Sequence, residues 1–301
     1  MRRRYRLGKS RLDWQMSTRH QIAIPCHPAN PVDYLACCGF AEILSRADRT
    51  ALTHWRTAAP LGFVMEGNFT EGEFLAMILA TLRNSERWKF VPALETNEPA
   101  RIEVDFIPEG QPHIILVLDW WYETLSQVGQ DVEIAKKSAW KMYAGQQTVL
   151  KIVMDMVKEA ASMHEPASLA GLLAARAPMS GRFGFDPRSS RDALNAGFSS
   201  NDLGLPVDTY PFAELLVMFG ACSFFPSRCG RAGELSSARG WRGPGDGGAG
   251  FAYHLWPSPL PVTLARLAAG PVGFPGAPLL FAARATRKNY SNFLLAQPII
   301  K

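Results

Sequence analysis

The sequence lacks an apolar run long enough to cross a membrane. A membrane-spanning helix needs about 20 consecutive apolar residues, whereas the longest runs, at residues 215–225 and 114–118, have the length of core segments. The arginine-rich beginning is not followed by the apolar region of a secretory signal. The five cysteines do not form an even disulfide framework. We therefore expect a protein of the reducing cytoplasm that does not contact membranes.

Signatures of the common enzyme classes are also missing. Residues 8–10 resemble the end of a phosphate-binding loop, but Arg3 stands where the first glycine is required. The chain has neither a dinucleotide-binding glycine pattern after a strand nor a serine nucleophile elbow. The adjacent pairs at 26–27 and 37–38 lack the spacing of metal ligands. The sequence predicts no catalytic residue, no metal and no cofactor, and thus not an enzyme.

Charge, by contrast, is present in an ordinary amount and is unevenly distributed. The 301 residues have a net charge of +5, with 47% hydrophobic and 20% charged residues. Residues 1–20 and 168–301 are basic, whereas residues 21–167 are acidic. Segregated charge is typical of a protein with one surface for a polyanion and another for protein partners. Random scatter of charge over a solvated surface would give the same totals, so both interpretations stay open.

Composition divides the chain into four predicted regions. Residues 1–18 form a basic N-terminal arm, either a disordered tail or a contact for nucleic acid. Residues 19–226 form the main domain. Residues 227–250 are rich in glycine and arginine and predict a flexible loop, which is either a spacer or a transient contact for a nucleic-acid strand. Residues 251–301 predict short strands that pack on the main domain.

Capping signals mark two helices in the main domain. Asn30 and Pro31 suit the N-cap and first position of a helix over residues 32–46. Thr70, with a glutamate three residues later, predicts a capping box for a helix over residues 71–83.

Alternating and helical periodicities complete the secondary-structure prediction. Helical spacing predicts a long helix over residues 132–163, broken at Gly145. Alternation predicts strands at 21–25, 61–65, 101–107, 113–121 and 251–256. Intermixed, unevenly spaced elements favour an α+β fold, with a mixed or antiparallel sheet, helices packed mainly on one face, and a long Gly/Arg-rich loop near the C-terminus.

The first candidate nucleic-acid-binding segment combines positive charge with aromatic and amide side chains. Lysines attract phosphates, aromatic rings stack on bases, and amides donate to phosphates or read base edges. Its candidate residues are Lys136, Lys137, Trp140, Lys141, Tyr143, Gln146 and Gln147. A solvated lysine face with both aromatics in the core is the alternative.

The second candidate segment contains Arg182, Arg188 and Arg191 among glycine and serine residues. Guanidinium groups and backbone amides in such a segment can converge on a phosphate. The alternative is an ordinary surface turn in which these arginines pair with Asp186 and Asp192.

Several segments resemble one CRISPR-associated family. The run Ile24–Leu44, which contains Asn-Pro-Val-Asp-Tyr-Leu-Ala-Cys-Cys-Gly-Phe, looks like the opening of the smaller, large-subunit-like effector protein of subtype I-G (formerly I-U) systems. Residues 143–147, 182–191 and 201–211 resemble that family as well. The likeness extends, with gaps, over about residues 20–226, and residues 227–250 depart from it.

This resemblance implies a non-catalytic subunit of a type I CRISPR guide-RNA surveillance (Cascade) complex in antiviral defence. Such a subunit contacts the backbone of guide RNA or target DNA and neighbouring effector subunits, while base pairing reads the sequence. Target cleavage would belong to a separate helicase–nuclease, a further candidate partner. Two alternatives stay open from the residues themselves: a metal-independent ribonuclease that uses Lys141, Tyr143 or a histidine, and a protein-only adaptor.

Overall fold

The computed structural model describes residues 19–93, 98–108, 112–126, 133–137, 140–143, 147–188, 207–222, 241–242, 250–270, 277–287 and 290–298. The α-helices of this part are α1 (Pro31–Ala47), α2 (Glu71–Leu82), α3 (Val149–Ser162), α4 (Leu169–Ala174), α5 (Pro211–Cys222) and α6 (Val262–Ala269). A 3-10 turn covers Ser85–Arg87.

The strands make several small sheets rather than one large sheet. They are β1 (His20–Ile24), β2 (Leu52–Arg56), β3 (Gly62–Gly67), β4 (Trp88–Pro92), β5 (Pro99–Phe106), β6 (Ile114–Leu118), β7 (Tyr122–Ser126), β8 (Glu133–Lys137), β9 (Ala177–Met179), β10 (Val207–Thr209), β11 (Trp241–Arg242), β12 (Gly250–His254), β13 (Leu260–Pro261), β14 (Leu279–Arg287), β15 (Tyr290–Phe293) and β16 (Gln297–Pro298).

Every strand pair in the described part is antiparallel. The first sheet has the order β1-β3-β2-β13, the second β4-β5-β6, and the third β11-β12-β14-β15 with β16 also beside β14. Strands β7 and β8, and β9 and β10, form two-stranded pairs. The predicted α+β fold with antiparallel sheets is confirmed.

Helices α1 and α5 pack closely against each other at the centre of the core. Helix α5 is apolar on every side apart from Glu214, and it is buried along almost its whole length. The two backbones meet at Gly39 and Gly220. A Cβ atom on Gly39 would lie 2.2 Å from the carbonyl oxygen of Leu216, and one on Gly220 would lie 2.0 Å from that of Leu35. Only glycine fits at these two positions.

Aromatic contacts join this helix pair to all three sheets. Tyr34 of α1 stacks on Trp55 of the first sheet and on Tyr253 of the third, with ring centroids 5.3 and 4.0 Å apart. Phe219 of α5 meets Phe106 of the second sheet at 5.4 Å. The Tyr253 hydroxyl also donates to the carbonyl oxygen of Pro28 at 2.8 Å. The C-terminal strands therefore share one core with the residues before 226.

The second sheet buries one face and exposes the other. Ile115 and Val117 of β6 are 60% and 47% exposed, whereas Leu116 and Leu118 between and after them are buried. This period of two is the strand alternation that predicted the hairpin of β5 and β6.

Both predicted helix caps are present. The Asn30 side chain accepts a hydrogen bond from the Val32 amide at 3.1 Å. Thr70 and Glu73 form the reciprocal capping box at the start of α2. Local side-chain chemistry was sufficient to place these two helix starts.

The predicted helix over residues 132–163 is wrong in its first part. Glu133–Lys137 is strand β8, paired with β7, and the helix begins only at Val149. Strand pairing supplies backbone hydrogen bonds that a local helical pattern does not reveal, so tertiary context overrides the spacing. Gly145, the predicted break, lies outside the described residues. The prediction also missed helix α6 and the strands β2, β4, β7, β9 and β10.

Two other predicted regions lie largely outside the described residues. These are the arm at residues 1–18 and most of the Gly/Arg-rich segment 227–250. Within that segment, Trp241 and Arg242 form the short strand β11 opposite Phe251 and Gly250.

Candidate nucleic-acid interface

The aromatic residues of the first candidate segment lie in the core. Trp140 is 0% and Tyr143 is 5% exposed. A base needs an open ring face on which to stack, and neither ring offers one in this structure. The prediction that Trp140 and Tyr143 form a stacking surface is therefore wrong in this structure. Both aromatic side chains lie in the core, as in the alternative that the sequence left open.

Lys141 is also turned inward, where it forms a buried ion pair. Its ammonium nitrogen lies 2.6 Å from Glu98 Oε1, and the two side chains are 8% and 5% exposed. The Tyr143 hydroxyl donates to the same oxygen at 2.9 Å. Glu98 Oε2 accepts from the amide of Val149 at 2.6 Å, at the first residue of α3. Lys141 thus balances a carboxylate that the α3 N-terminus also stabilises, and its charge is not directed at solvent.

The arginines of the second candidate segment are also turned away from solvent. Arg182 is 4% exposed. Arg188 donates to both oxygens of Asp186, with Nε 3.0 Å from Oδ1 and Nη2 2.6 Å from Oδ2. Its guanidinium also lies 3.7 Å from Asp33 Oδ1 and 3.7 Å from the centroid of the Tyr210 ring. The pairing of Arg188 with Asp186 fits the alternative that the sequence left open, but residues 181–187 are buried, so the segment is not a surface turn.

Burial shifts the acidic groups around this segment toward their neutral forms. Glu214 of α5 accepts a hydrogen bond from the Asp186 amide at 3.1 Å. Burial, together with the nearby negative charge of Asp186, raises the pKa of Glu214 to about 8. Burial also raises the pKa of Asp33, although the Arg188 guanidinium opposes that shift. These residues form an internal junction between the N-terminal turns of α1 and α5.

The structure brings the two candidate segments together through their aromatic rings. The Tyr143 and Phe183 ring centroids are 5.9 Å apart, and those of Trp140 and Phe185 are 6.4 Å apart. The segments are neighbours in space, as one binding surface would require. Their contact faces the core, however, and so serves packing.

The remaining predicted site residues are only partly described. Lys136 and Lys137 lie in β8, in register with Glu123 and Tyr122, and their side chains lie outside the described part. Gln147 is half-buried just before α3. Gln146 and Arg191 fall outside the described residues, as does Asp192.

The outer face of α3 carries cations that the sequence reasoning missed. Lys151 and Lys158 are exposed, and Leu150 and Met154 beside them are 41% and 37% exposed. We call these four residues the α3 lysine stripe. Seven positions on a helix separate the two lysines by about 10 Å along its axis. Among the described residues, neither lysine has an ion-pair partner.

Periodicity could have located this stripe. Val149, Ile152, Val153, Met156, Val157 and Ala160 form the buried side of α3. The opposite side of the same 3.6-residue period contains both lysines.

The described part of the chain contains no cluster of three or more His, Cys, Asp or Glu side chains arranged to hold a metal ion. In the same residues, no helix has the length and apolar character needed to cross a membrane.

Comparisons with protein-family models, with characterised proteins and with solved structures found no match to this chain.

Proposed function

We propose that this chain is a non-catalytic subunit of a type I CRISPR guide-RNA surveillance complex in the cytoplasm, where it contacts the backbone of guide RNA or target DNA. The observation that carries the nucleic-acid part of this proposal is the α3 lysine stripe. The CRISPR part rests on the resemblance of residues 24–44, 143–147 and 182–191 to the subtype I-G effector protein.

The charge on the stripe is available to a phosphate. Lys141 and Arg188 are balanced by buried carboxylates, whereas Lys151 and Lys158 are exposed and have no acidic partner among the described residues. An ammonium group in this situation gains more from a phosphate than one that must first leave a carboxylate. Release of counterions from the nucleic acid supplies the free energy.

Apolar side chains beside the lysines support contact with a nucleic-acid strand rather than with a single phosphate ion. Leu150 and Met154 lie on the same face of α3 as the lysines. Apolar side chains of this kind can lie against ribose or base surfaces while the flanking ammonium groups meet phosphates.

The buried position of Lys141 and Tyr143 supports a non-catalytic role for these two residues. A general acid or base must come within hydrogen-bond reach of its substrate. Both groups instead bind the same oxygen of Glu98. The ribonuclease alternative therefore loses two of its candidate residues in this conformation.

The exposed face of the second sheet suits a neighbouring effector subunit. Ile115 and Val117 present apolar surface there, beside charged pairs such as Lys89 with Glu103. An apolar centre with a charged rim is typical of a protein–protein contact.

A binding titration with a paired control tests the nucleic-acid role. The purified chain is titrated with single-stranded RNA, single-stranded DNA and duplex DNA at several salt concentrations, beside K151A/K158A and the control K89A. Lys89 is 74% exposed but lies 3.3 Å from Glu103, so its removal takes away a paired cation.

We expect K151A/K158A to reduce the magnitude of the salt slope of log K by about 1.4–1.8, because each lost phosphate contact contributes about 0.7–0.9. We expect K89A to leave that slope unchanged. Equal slopes for wild type and K151A/K158A would contradict the role of the stripe, and no salt-dependent binding by any form would favour a protein-only adaptor.

A further inference from the structure

Two cysteines meet at the turn that connects β1 to α1. Cys26 follows the end of β1, and Cys37 lies in the buried middle of α1. Their sulfur atoms are 3.6 Å apart, and both thiols are free. A disulfide has an S–S bond of about 2.05 Å, so bond formation requires the sulfurs to approach by only about 1.5 Å. The two cysteines are eleven positions apart in the sequence, and that spacing does not predict their contact. They meet because the chain reverses direction at residues 27–30.

The two thiols differ in their access to solvent. Cys26 is partly exposed, and His27 beside it is exposed. Cys37 is 0% exposed, and burial raises the pKa of its thiol. A small oxidant in solution therefore reaches Cys26 first, while Cys37 is protected from the oxidant but lies beside the Cys26 sulfur.

We propose that Cys26 and Cys37 form a reversible intramolecular disulfide when the protein meets hydrogen peroxide. In the first step the Cys26 thiolate attacks one peroxide oxygen, the O–O bond breaks, and Cys26 becomes a sulfenic acid as hydroxide leaves and takes up a proton to give water. In the second step the Cys37 sulfur attacks the sulfenic sulfur, the S–O bond breaks, and a second water leaves with the Cys37 proton. Two thiols and one hydrogen peroxide thus yield one disulfide and two waters.

The new bond would hold the turn at the start of α1. The ring closed by Cys26 and Cys37 contains Asn30, the N-cap of α1, and Asp33. The amide of His27 donates to Asp33 Oδ2 at 3.2 Å, and Arg188 reaches Asp33 Oδ1. Oxidation would therefore fix the position of Asp33 against the segment that contains Arg188, and a thiol reductant would release it.

Mass spectrometry of the full chain tests this proposal without any substitution. The protein is reduced, freed of reductant, exposed to hydrogen peroxide, unfolded and alkylated. Trypsin releases residues 20–46 as one peptide, since no Lys or Arg lies between Arg19 and Arg46. In the reduced protein this peptide carries three alkyl groups, at Cys26, Cys37 and Cys38. After oxidation we expect it to carry one alkyl group, at Cys38, and to lack the two hydrogen atoms of the Cys26 and Cys37 thiols. Cleavage after Tyr34 separates Cys26 from the other two cysteines, so the disulfide keeps those fragments joined until reductant is added.

Three variants assign the roles of the individual thiols. C38S should still form the bond. C37S should accumulate sulfenic acid at Cys26, which dimedone traps, and C26S should leave Cys37 unmodified.

Oxidised wild type should also unfold at a higher temperature than the reduced protein, because the bond constrains the unfolded chain. The proposal is overturned if peroxide that oxidises free glutathione leaves both thiols of the wild type alkylatable, if Cys26 proceeds to the sulfinic acid without a cross-link, or if Cys38 replaces Cys37 in the bond.

Discussion

The ammonium nitrogen of Lys141 lies 2.6 Å from Glu98 Oε1, in an ion pair that also closes the N-terminus of α3 through the Val149 amide. The sequence marks Lys141 as a phosphate contact, yet in the folded chain it fixes the first turn of the helix that carries the α3 lysine stripe. Its role is to position the candidate interface rather than to be part of it.

Replacement of Lys141 by alanine should therefore destabilise the fold. Removal of one partner of a buried pair leaves the other charge without compensation, at a cost of about 3–5 kcal/mol. Urea unfolding monitored by circular dichroism measures the loss. K151A is the matched control, with an expected change within about 0.5 kcal/mol because Lys151 is an exposed surface residue. Equal stability of K141A and K151A would show that the Glu98 pair does not hold the start of α3.

Replacement of Gly39 by alanine should loosen the contact between α1 and α5. The new Cβ would lie 2.2 Å from a backbone oxygen, so the helices must separate, at a cost of at least about 2 kcal/mol. Gly72 in α2 has open space around it, and G72A should stabilise the protein by up to about 1 kcal/mol. Thermal unfolding of the two variants checks whether the signs are opposite, and a neutral G39A would contradict the close approach.

Glu214 should make stability depend on pH. Its pKa is about 8 in the folded protein against an ordinary value of 4.5. Between these values the folded state keeps a proton that the unfolded state releases, so the stabilisation that Glu214 contributes is complete below about pH 4.5 and is lost as the pH rises to about 8. E214Q removes the titrating group but keeps an oxygen to accept from the Asp186 amide. Urea unfolding at about pH 5 and about pH 8 should show a smaller decline for E214Q than for wild type. The same decline in both proteins would mean that Glu214 titrates normally.

Replacement of Arg188 by lysine should be costly although the charge is kept. A lysine cannot bind both oxygens of Asp186 and lie flat on the Tyr210 ring, and we expect a loss of about 1–3 kcal/mol because the site is partly solvated. The control is R176K: Arg176 pairs with Asp208 at 3.1 Å, but the side chains are 66% and 55% exposed, so its loss should stay below about 0.5 kcal/mol. Similar unfolding midpoints for the two variants would contradict the internal role of Arg188.

Local chemistry determined which parts of the fold could be predicted. The caps at Asn30 and Thr70 depend on side chains within three residues of the helix start, so the sequence alone located both helices. Strand β8 was predicted as helix because its pairing with β7 is not visible in the periodicity of residues 132–148. The glycines that bring α1 and α5 together lie far apart in sequence, and only the folded core shows why each is required.

The candidate site was predicted less well for a similar reason. Residue type indicated the aromatics and cations of residues 136–147 and 182–191, but residue type does not determine which side chains face solvent. Trp140 and Phe185 lie in the core, and Glu98, which neutralises Lys141, is distant in sequence and carries no signal of that role. The exposed lysines of α3 follow a period that sequence reasoning can detect, once the true start of the helix is known.

Reconstitution of the assembly is the most direct test of the central claim. The tagged chain is co-expressed with the other effector proteins of a subtype I-G system and with a guide RNA, as wild type, K151A/K158A and K89A, and the purified material is analysed by native mass spectrometry. We expect wild type and K89A to purify in a complex that contains guide RNA, and K151A/K158A to bind the RNA or its DNA target more weakly at raised salt. Purification of the tagged chain without guide RNA and without the other subunits would contradict the proposed function, as would a complex whose salt response K151A/K158A leaves unchanged.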